Sequence, residues 1–584
     1  MAVDRFLQRV LIVDLSRRSF TIEDRPELFK DALGGAGAAI RLLEEFCPAG
    51  ADPLGPANPV ILAVGPLVGY YPLASKTVAM FKSPLTGNLG ESHAGGRSAV
   101  ALRMAGYGAV VITGQSKTPV YLVIGRDGVR FRDASALWGV QSSYTVGSVL
   151  RERETGSGLR SIMRIGRAGE RRVPYACVIT ETYRHFGRLG LGAVWGAKRL
   201  KAVVVEGKLS LPADDKRAYR QVYDGIFHAA TRSSTMKKYH DLGTAMNVAP
   251  LSEMGGLPTR NLQSASFEGV EGVSGEHLAE RYLGRRVACA HCPVACIHLA
   301  TLRTPYENEP YFFKTGLVGY DYELMYSCGS MLGLSSAEDM LRLVDDIEIL
   351  GLDAMSAGVA LAWATEALER GLITTADTDG ISLAFGEADG YLEALERIVS
   401  QPTDFYRALA LGVERASAIY GGQDAALAFG GNEMPGYHTG PGAHVGWLAG
   451  ARHSHLDNAG YSVDQKQIPK GTLLTPEELA DSLLTEERWR QVLTSLVVCL
   501  FARNVYDADT VIKSLGALGR EYTLEDLNRI GADTLRRKNL FKEREGFDMT
   551  QLRIPERIAQ TASPFGPVDL AYVREALAAF RKNL

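Results

Sequence analysis

Ala109-Val-Val-Ile-Thr-Gly114 is a short apolar run closed by glycine, and runs of this kind decide the fold of the first part of the chain. Pro59-Val-Ile-Leu-Ala-Val64, Val120-Tyr-Leu-Val-Ile124 and Ala202-Val-Val-Val-Glu-Gly207 follow the same pattern. Brief apolar runs bounded by Gly or Pro are typical of buried β-strands. We therefore predict a β-rich domain over residues 1–208.

The pattern changes after Asp214, where apolar residues begin to recur at helical spacing, most clearly in Ala337–Leu350 and Met355–Arg370. A chain of 584 residues is too long for one hydrophobic core. The sequence therefore predicts an α+β fold. The β-rich N-terminal domain is followed by two mainly α-helical domains, at residues 209–425 and 426–584.

Charge is nearly balanced along the chain, with 64 basic and 67 acidic residues and a net charge of −3. No global electrostatic field attracts nucleic acid or an anionic membrane, so neither is expected as a partner. The stretch from Pro53 to Ser75 carries no charge, but its five prolines exclude a membrane-spanning helix. This stretch is predicted to form strands and tight turns.

Arg17-Arg18 resembles the start of a twin-arginine export signal, but acidic residues follow it instead of an apolar segment. The pair is better interpreted as the turn of a β-hairpin between Val10–Leu15 and Phe20–Glu23. The sequence begins without an apolar leader, so we expect a cytoplasmic protein.

Three of the seven cysteines lie in one short motif, Cys289-Ala-His-Cys292-Pro-Val-Ala-Cys296. The spacing suits three corners of an iron–sulfur cubane, which needs a fourth thiolate from elsewhere, and Cys499 is the best candidate. The same cysteines also suit a structural zinc site completed by His298 or His291. The spacing favours the cluster but leaves both interpretations open.

Several motifs together resemble the tungsten-dependent aldehyde:ferredoxin oxidoreductases, along almost the whole chain. They are Phe81-Lys-Ser-Pro-Leu-Thr-Gly87, His93-Ala-Gly-Gly96, Ala105-Gly-Tyr-Gly-Ala-Val-Val-Ile-Thr-Gly114 and Gly187-Arg-Leu-Gly-Leu-Gly-Ala-Val-Trp-Gly196. The cysteine motif and the late Cys499 fall where that family places its cluster ligands. The resemblance therefore favours the cluster over zinc.

The resemblance implies a tungsten or molybdenum ion held by two pterins, a Mg²⁺ that bridges the pterin phosphates, and one [4Fe–4S] cluster on Cys289, Cys292, Cys296 and Cys499. The β-rich domain then binds the metal–pterin. The cofactor-binding residues implied are Lys76, His93, Ala94, Gly95, Gly96, Arg184, His185, Gly187, Glu348, Leu352, Asp353, Thr494 and Val498.

The glycines among these residues have a physical reason, because backbone amides at Gly95-Gly96 and around Gly187 can approach phosphate oxygens without a Cβ in the way. Without the resemblance they would be interpreted as tight turns. Two positions depart from the family pattern. Lys76 replaces the usual Arg and supplies a point charge instead of a planar fork, and His93 replaces Asn, although both can donate a hydrogen bond.

The motif Glu348-Ile-Leu-Gly351-Leu352-Asp353 closes a strongly amphipathic helix. It predicts a C-cap with Gly351 in the left-handed conformation, and the resemblance adds that its carboxylates accept hydrogen bonds from the pterin amino groups. The family carries a second copy before the late cysteine. Here that copy is Thr494-Ser-Leu-Val-Val-Cys499, which lacks the acidic residues and the glycine.

Glu323 aligns with the active-site glutamate of the family, and the segment around His453 and His455 aligns with its active-site histidine region. A buried Glu and His can move the protons that accompany a two-electron oxidation. We prefer His455 and keep His453 as an alternative. Judged without the resemblance, Glu323 is a helix-surface charge and His455 a core histidine. Cys328, soon after Glu323, is expected in the core or near the metal.

The resulting hypothesis is a metal–pterin oxidoreductase that interconverts aldehydes and carboxylic acids. It would pass electrons through the cluster to a ferredoxin or a ferredoxin-like iron–sulfur subunit, and we expect an oligomer. Two alternatives stay open. One is a related family member that acts on 2-hydroxycarboxylates or reduces an aromatic acyl-CoA, and the other is a non-catalytic scaffold stabilised by zinc.

Overall fold

The apolar runs of the first third form two six-stranded sheets in a computed structural model, which describes residues 6–181, 183–211, 213–306 and 308–584. The strands are β1 Arg9–Asp14, β2 Ser19–Asp24, β3 Val60–Ala63, β4 Thr77–Lys82, β5 Leu89–Ala94, β6 Ala109–Thr113, β7 Val120–Gly125, β8 Gly128–Asp133, β9 Leu159–Arg164, β10 Val178–Ile179, β11 His185–Phe186, β12 Leu200–Gly207, β13 Leu283–Val287, β14 Ile297–Tyr306, β15 Glu309–Tyr320, β16 Ala428–Phe429 and β17 Asn432–Glu433.

Helices dominate from residue 216 onward, as the periodicity predicts. The α-helices occur along the whole described part of the chain and are numbered in chain order. They are α1 Pro26–Lys30, α2 Gly35–Phe46, α3 Ser98–Ala105, α4 Ser143–Arg153, α5 Arg167–Glu170, α6 Leu191–Ala197, α7 Lys216–Arg232, α8 Ser234–Asp241, α9 Val248–Glu253, α10 Gly275–Arg281, α11 Tyr322–Cys328, α12 Ala337–Leu350, α13 Ala354–Glu369, α14 Ala388–Ser400, α15 Asp404–Leu409, α16 Val413–Tyr420, α17 Pro441–Ala449, α18 His455–Asn458, α19 Gly460–Gln467, α20 Pro476–Ser495, α21 Ala508–Gly516, α22 Leu524–Arg544, α23 Arg557–Gln560 and α24 Leu570–Asn583. The predicted α+β class is confirmed.

The two large sheets have the strand orders β2-β1-β6-β3-β4-β5 and β11-β10-β9-β12-β7-β8. Each contains one parallel pair, β1 with β6 and β12 with β7, among antiparallel neighbours. Strands β3, β4 and β6 are buried along almost their whole length, which explains why their sequences read as continuous apolar runs.

Local predictions made from the sequence hold in several places. Strands β1 and β2 form an antiparallel hairpin whose turn contains Arg17-Arg18, and the Asp14 carboxylate accepts hydrogen bonds from the turn amides. Helix α12 covers the predicted Ala337–Leu350. The proline-rich stretch from Pro53 to Ser75 contains strand β3 and turns. No helix in the described part of the chain is long and apolar enough to cross a membrane.

The chain folds into two units, each built from separate segments. Unit 1 contains residues 1–237, 288–294 and 485–548, and unit 2 contains residues 238–287, 295–484 and 549–584. These units do not coincide with the predicted domains 1–208, 209–425 and 426–584, and the division into three domains stays a prediction.

Residues 485–548 belong to unit 1, and they contact its N-terminal segment directly. The Tyr522 hydroxyl donates to the Lys30 carbonyl at 2.7 Å, and Arg520 donates to the Phe29 carbonyl at 3.0 Å. Contacts between residues almost 500 positions apart leave no mark on local periodicity. The local sequence therefore gives no indication that residues 485–548 belong to unit 1.

Candidate functional site

The first two cysteines of the motif lie in a loop of unit 1 that the main chain holds firmly. The amide of Ala290 donates to the Gly96 carbonyl at 2.9 Å, and the amide of Cys292 donates to the Cys289 carbonyl at 3.1 Å. Leu73 donates to the carbonyl of His291 at 3.1 Å. The loop is thus bound on one side to the glycine pair and on the other to the segment that begins at Leu73.

Cys499 is bound to that same segment. Its amide donates to the Leu73 carbonyl at 2.9 Å, and the Lys76 amide donates to the Val497 carbonyl at 3.2 Å. The structure therefore brings the predicted fourth ligand to the residues that also hold the Cys289–Cys292 loop. Cys289, Cys292, Cys296 and Cys499 are half-buried, whereas the other three cysteines are fully buried.

Gly95 gives the sharpest steric observation in this region. A Cβ on this residue would lie 2.8 Å from Sγ of Cys289, 3.2 Å from Nζ of Lys76 and 3.7 Å from Cδ of Arg184. Only glycine leaves room for these three side chains to converge there. The Lys76 ammonium lies beside the sulfur of Cys289, and a cation stabilises nearby negative charge, so this position fits both an anionic cluster and a phosphate-bearing cofactor. The next residue, Gly96, has a φ of +95°, which also favours glycine.

Cys296 belongs to unit 2, where its carbonyl lies 3.1 Å from Nδ1 of His298. Nε2 of the same ring lies 3.0 Å from the carbonyl of His240, and burial lowers the pKa of His298. Both ring nitrogens therefore face main-chain carbonyls. Among the described residues, no three His, Cys, Asp or Glu side chains converge on a single-ion site. The structure thus gives no support to the zinc interpretation with His298.

His93, on strand β5, joins a buried polar chain of unit 1. Its Nε2 lies 2.7 Å from one oxygen of Glu91, whose other oxygen lies 2.5 Å from Nζ of Lys538. Lys538 also donates to Gln491 at 2.5 Å. Glu91, Lys538 and Gln491 were missed by sequence reasoning, because they come from three distant segments. This chain fixes the orientation of the His93 ring.

The remaining predicted residues of unit 1 lie in different surroundings. Ala94 ends β5, paired with Thr77, and His185 pairs with Ile179 in β11. Gly187 follows β11, and a Cβ there would meet only the Cβ of His185, at 3.9 Å. The protein itself therefore leaves the space beside Gly187 open, and the approach of a phosphate to this residue stays a prediction.

In unit 2 the structure pairs Glu323 with His455. Glu323 lies in the first turn of α11, and its Oε1 is 3.3 Å from Nε2 of His455 at the start of α18. Its Oε2 accepts the amide of Gly436 at 3.2 Å. The Ser454 and Asp457 capping box fixes the position of His455 at the helix N-terminus. A carboxylate and an imidazole in contact, both largely buried, are groups that can exchange a proton.

His453 lies in different surroundings from His455, and its assignment as the alternative catalytic residue stays a prediction. Its Nδ1 lies 2.8 Å from the Trp447 carbonyl, and its ring fills the space beside Gly430, where a Cβ would come within 2.4 Å of it. The residue also has a φ of +54°. Two residues from His455, it serves to pack the loop.

Three tyrosines surround the Glu323–His455 pair and were missed by sequence reasoning. The ring of Tyr437 stacks on Tyr461 with centroids 4.2 Å apart, and lies 4.9 Å from Tyr322 and 5.4 Å from His455. Burial and the nearby Glu323 raise the pKa of Tyr437 well above its usual range. Its hydroxyl therefore stays protonated, and the pair lies against aromatic, uncharged walls.

The acidic helix end forms as predicted, with Gly351 at a φ of +80° and both Glu348 and Asp353 buried. Asp353 caps α13 by accepting the Met355 amide at 3.1 Å, and Leu352 is buried beside it. The Ser356 hydroxyl lies 2.6 Å from both Asp353 and Glu433. One hydroxyl donates one hydrogen, so Ser356 can donate to only one of the two carboxyl groups at a time.

Three further residues, Thr494, Val498 and Cys328, make their described contacts with residues close to them in sequence. Thr494 donates its hydroxyl to the Arg490 carbonyl at 2.9 Å within its own helix, and Val498 follows it at the helix end. Cys328 is fully buried against Ser327, and burial raises the pKa of its thiol to about 12. The Cys328 thiol therefore stays protonated, as expected of a core cysteine.

Comparison with known proteins agrees with this arrangement over nearly the whole chain. The family model for the aldehyde ferredoxin oxidoreductase N-terminal domain matches residues 10–207, and that for domains 2 and 3 matches residues 221–583. The tungsten-containing aldehyde ferredoxin oxidoreductase of Thermococcus kodakarensis is 32% identical over 575 residues, covering 96% of this chain and 92% of that protein. That of Pyrococcus furiosus is 31% identical with the same coverage.

Two more distant relatives extend the comparison. The WOR-like subunit of aliphatic sulfonate oxidoreductase from Pyrococcus furiosus is 29% identical, over 70% of this chain and 66% of its own. The active-site complex of benzoyl coenzyme A reductase with 1,5-dienoyl-CoA superposes with a TM-score of 0.81 at 21% identity, over 100% of this chain and 95% of that one. At this identity the likeness concerns the fold alone.

The matches define an oxidoreductase of the tungsten–pterin class. Within that class, the chain belongs to the aldehyde ferredoxin oxidoreductase family, which confirms the resemblance seen in the sequence.

Proposed function

We propose that the protein oxidises aldehydes to carboxylic acids at a tungsten bis-pterin, with molybdenum as the alternative metal, and works in the cytoplasm. The observation that carries the proposal is the contact between Glu323 and His455, walled by three tyrosines. A proton-transfer pair in aromatic surroundings suits a small carbonyl substrate. The named activity of the relatives at 31–32% identity supports the same reaction.

The electrons are proposed to leave through one [4Fe–4S] cluster held by Cys289, Cys292, Cys296 and Cys499, towards a ferredoxin-type acceptor. Two facts support this ligand set. The four thiols are half-buried, and the segment from Leu73 to Lys76 binds both the cysteine loop and Cys499. Half-buried thiols beside cations are suited to bind metal as thiolates.

The residues beside Gly95 would hold the pterin phosphates. Nζ of Lys76 and Cδ of Arg184 lie beside Gly95, and the absent side chains of Gly95 and Gly96 let a phosphate approach the backbone. A bound Mg²⁺ would leave fewer phosphate charges for the protein to neutralise. In unit 2, Glu348 and Asp353 are proposed to accept hydrogen bonds from pterin amino groups.

The reaction turns an aldehyde and water into a carboxylic acid, two electrons and two protons. When bound, the metal–pterin supplies the Lewis acid and accepts the electron pair. Glu323, in contact with His455, takes a proton from the attacking water and passes it to the imidazole. The Gly436 amide donates to the other oxygen of Glu323 and so fixes the direction in which that carboxylate points. The buried rings of Tyr322 and Tyr437 limit the access of bulk water to the pair.

The same experiments also test two alternative functions. Oxidation of 2-hydroxycarboxylates or reduction of an aromatic acyl-CoA would use the same proton pair, and the fold likeness to benzoyl coenzyme A reductase motivates including such substrates. A zinc-stabilised scaffold would need neither the Glu323–His455 pair nor the space at Gly95.

Metal analysis of anaerobically purified protein is the first test. We expect about one tungsten or molybdenum and about four iron atoms per chain, as one cubane and one metal–pterin require. About one zinc with neither tungsten nor molybdenum would refute the proposal. A substrate screen with viologen dyes then compares aldehydes, 2-hydroxycarboxylates and aromatic acyl-CoA esters, and activity confined to either of the last two groups would favour that alternative.

Glu323→Gln tests the proton pair, because it keeps the shape and the contact with Gly436 but removes the base. We expect viologen-linked aldehyde oxidation to fall by roughly 10²- to 10⁴-fold with unchanged metal content. Glu338→Gln is the matched control, since Glu338 is an exposed residue also in the first turn of a helix. Equal activities of the two variants would remove Glu323 from the mechanism.

A further inference from the structure

The hairpin of strands β14 and β15 carries a cluster of exposed aromatic residues at its far end. Tyr306, Tyr311, Phe312 and Phe313 are 53%, 90%, 65% and 45% exposed. Other large apolar side chains exposed in the described residues are scattered singly along the sequence. We call these four residues the aromatic tip.

An aromatic tip of this kind is unusual on a free surface. Each aromatic side chain buries about 150–250 Å² when covered, so four exposed ones within eight residues offer several hundred Å² of apolar area to a partner. Exposed apolar area of that size marks interaction sites, and Tyr and Phe are enriched in the cores of interfaces. The guanidinium of Arg303 lies 4.5 Å over the Phe313 ring, so part of the tip is held in place before any partner arrives.

The other end of the hairpin leads directly to the cysteine motif. Strand β13 ends at Val287 and β14 begins at Ile297, and these two residues pair across the sheet. The connection between them contains Cys289, Cys292 and Cys296. A ten-residue strand spans about 33 Å. The aromatic tip therefore lies one strand length along the sheet from the residues just after the last of these cysteines.

The charge of this sheet differs from that of the whole chain. Strands β13 to β15 carry four basic residues, Arg285, Arg286, Arg303 and Lys314, and one acidic residue, Glu309. The excess is positive although the complete chain has a net charge of −3. An acidic partner is thus attracted, whereas a second copy of the same sheet would bring like charges together.

We propose that the β14–β15 hairpin is a docking arm for a small acidic iron–sulfur protein, the carrier that takes electrons from the cluster. The aromatic tip supplies the apolar contact, and the basic residues along the strands orient the carrier towards the cysteine end. This inference rests on the proposed function, because it presumes that Cys289, Cys292 and Cys296 hold the electron exit.

The test compares the electron acceptor protein with a small dye. A viologen takes electrons without docking, so the double variant Tyr311→Ser, Phe312→Ser should keep its viologen-linked rate. With a bacterial 2[4Fe–4S] ferredoxin as acceptor, we expect its KM to rise at least tenfold at an unchanged viologen rate and metal content. Ile419→Ser, which removes another exposed apolar side chain outside the hairpin, is the matched control and should change neither value.

A second variant tests the electrostatic part and guards against local misfolding of the tip. Arg285→Gln, Lys314→Gln should raise the ferredoxin KM several-fold at low salt and flatten its dependence on ionic strength, because each removed charge weakens steering. Unchanged ferredoxin KM in both variants would overturn the proposal.

Other partners of the aromatic tip would give different results in these experiments. If the aromatic variant dissociates an oligomer in analytical ultracentrifugation, or loses binding to vesicles of anionic phospholipid, while its ferredoxin KM is unchanged, the tip serves that contact and the proposal is wrong. If the unmodified protein oxidises no substrate even with viologen, the proposed function fails. Direct titration of the ferredoxin against the protein and its aromatic variant then still decides whether the arm binds it.

Discussion

Two helix ends, one in each unit, form the same turn from different residues. Helix α12 ends in Glu348-Ile-Leu-Gly351-Leu352-Asp353 and α20 in Thr494-Ser-Leu-Val497-Val498-Cys499. Gly351 has a φ of +80° and Val497 a φ of +54°, so both adopt the left-handed conformation. The Leu352 amide donates to the Ile347 carbonyl at 3.1 Å, and the Val498 amide donates to the Leu493 carbonyl at 2.9 Å. Both ends thus close with the same hydrogen bond of a Schellman motif.

The two ends differ in the contacts made by the residues just beyond the turn. At the first end, the Asp353 carboxylate caps the next helix and shares Ser356 with Glu433. At the second, the carbonyl of Val497 and the amide of Cys499 bind Lys76 and Leu73 through the main chain. The first end therefore presents buried side-chain acceptors, and the second presents a thiol on a fixed backbone.

The comparison teaches that packing can impose a turn that the sequence does not favour. A left-handed conformation costs a residue with a Cβ about 1–2 kcal/mol. Val497 is fully buried, and burial of a valine side chain contributes about 1.5–3 kcal/mol, which offsets this strain. The turn therefore forms without a glycine at position 497, and the Cys499 amide is still held by the Leu73 carbonyl.

Cys499→Ala should have the largest effect, because it removes the chemistry of the second end and leaves its turn. We expect the reduced-cluster signal in electron paramagnetic resonance to be lost and iron to fall well below four per chain, since a cubane needs four ligands. The control is Cys47→Ala, which removes a buried thiol of the same unit. An intact cluster spectrum in Cys499→Ala would exclude Cys499 as a ligand.

Asp353→Asn tests the chemistry of the first end with the turn retained. Asparagine is also a good N-cap, so the free energy of unfolding should change by only about 1 kcal/mol or less. Tungsten per chain, measured by mass spectrometry, should fall several-fold, because an amide offers one acceptor oxygen where the carboxylate offers two. Full tungsten content in this variant would refute a role for Asp353 in holding the pterin.

Reciprocal substitutions test the turns themselves. Gly351→Val should lower the free energy of unfolding by about 1–2 kcal/mol or more, because the left-handed conformation becomes strained. Val497→Gly should also destabilise, since the lost apolar burial exceeds the strain relieved.

Both variants are measured by chemical denaturation. Gly225→Ala is a control that should change the free energy of unfolding in the opposite direction. This glycine lies inside α7 with no atom near a Cβ, so alanine should stabilise the protein by about 0.5–1 kcal/mol. A stable Gly351→Val would show that the two turns are less alike than their hydrogen bonds indicate.

Thr494→Val should have the smallest effect. The threonine hydroxyl already donates within its own helix, a bond that adds little to stability. We expect a change of at most about 1 kcal/mol in unfolding and an unchanged tungsten content. A marked loss of tungsten would mean that Thr494 accepts a hydrogen bond from the cofactor after all, as Asp353 is proposed to do.

Several features of the fold and of the site could be predicted because they depend on local sequence. The β1–β2 hairpin, the extent of α12 and the left-handed Gly351 follow from turn residues and periodicity. Motifs such as His93-Ala-Gly-Gly96 and the cysteine spacing were sufficient to suggest the family. Glu91, Glu433 and the tyrosines around Glu323 escaped prediction, since nothing near them in sequence distinguishes a site residue from a core residue.

By itself, the sequence determined the fold class, the family and the cysteines proposed to hold a cluster, because each is written in spacing and hydrophobic pattern. Only the tertiary structure decided that His455, and not His453, meets Glu323, and that Leu73–Lys76 binds both the cysteine loop and Cys499. These contacts join residues from more than 100 to more than 400 positions apart. Which distant groups meet is settled by packing of the whole unit, and no local propensity encodes it.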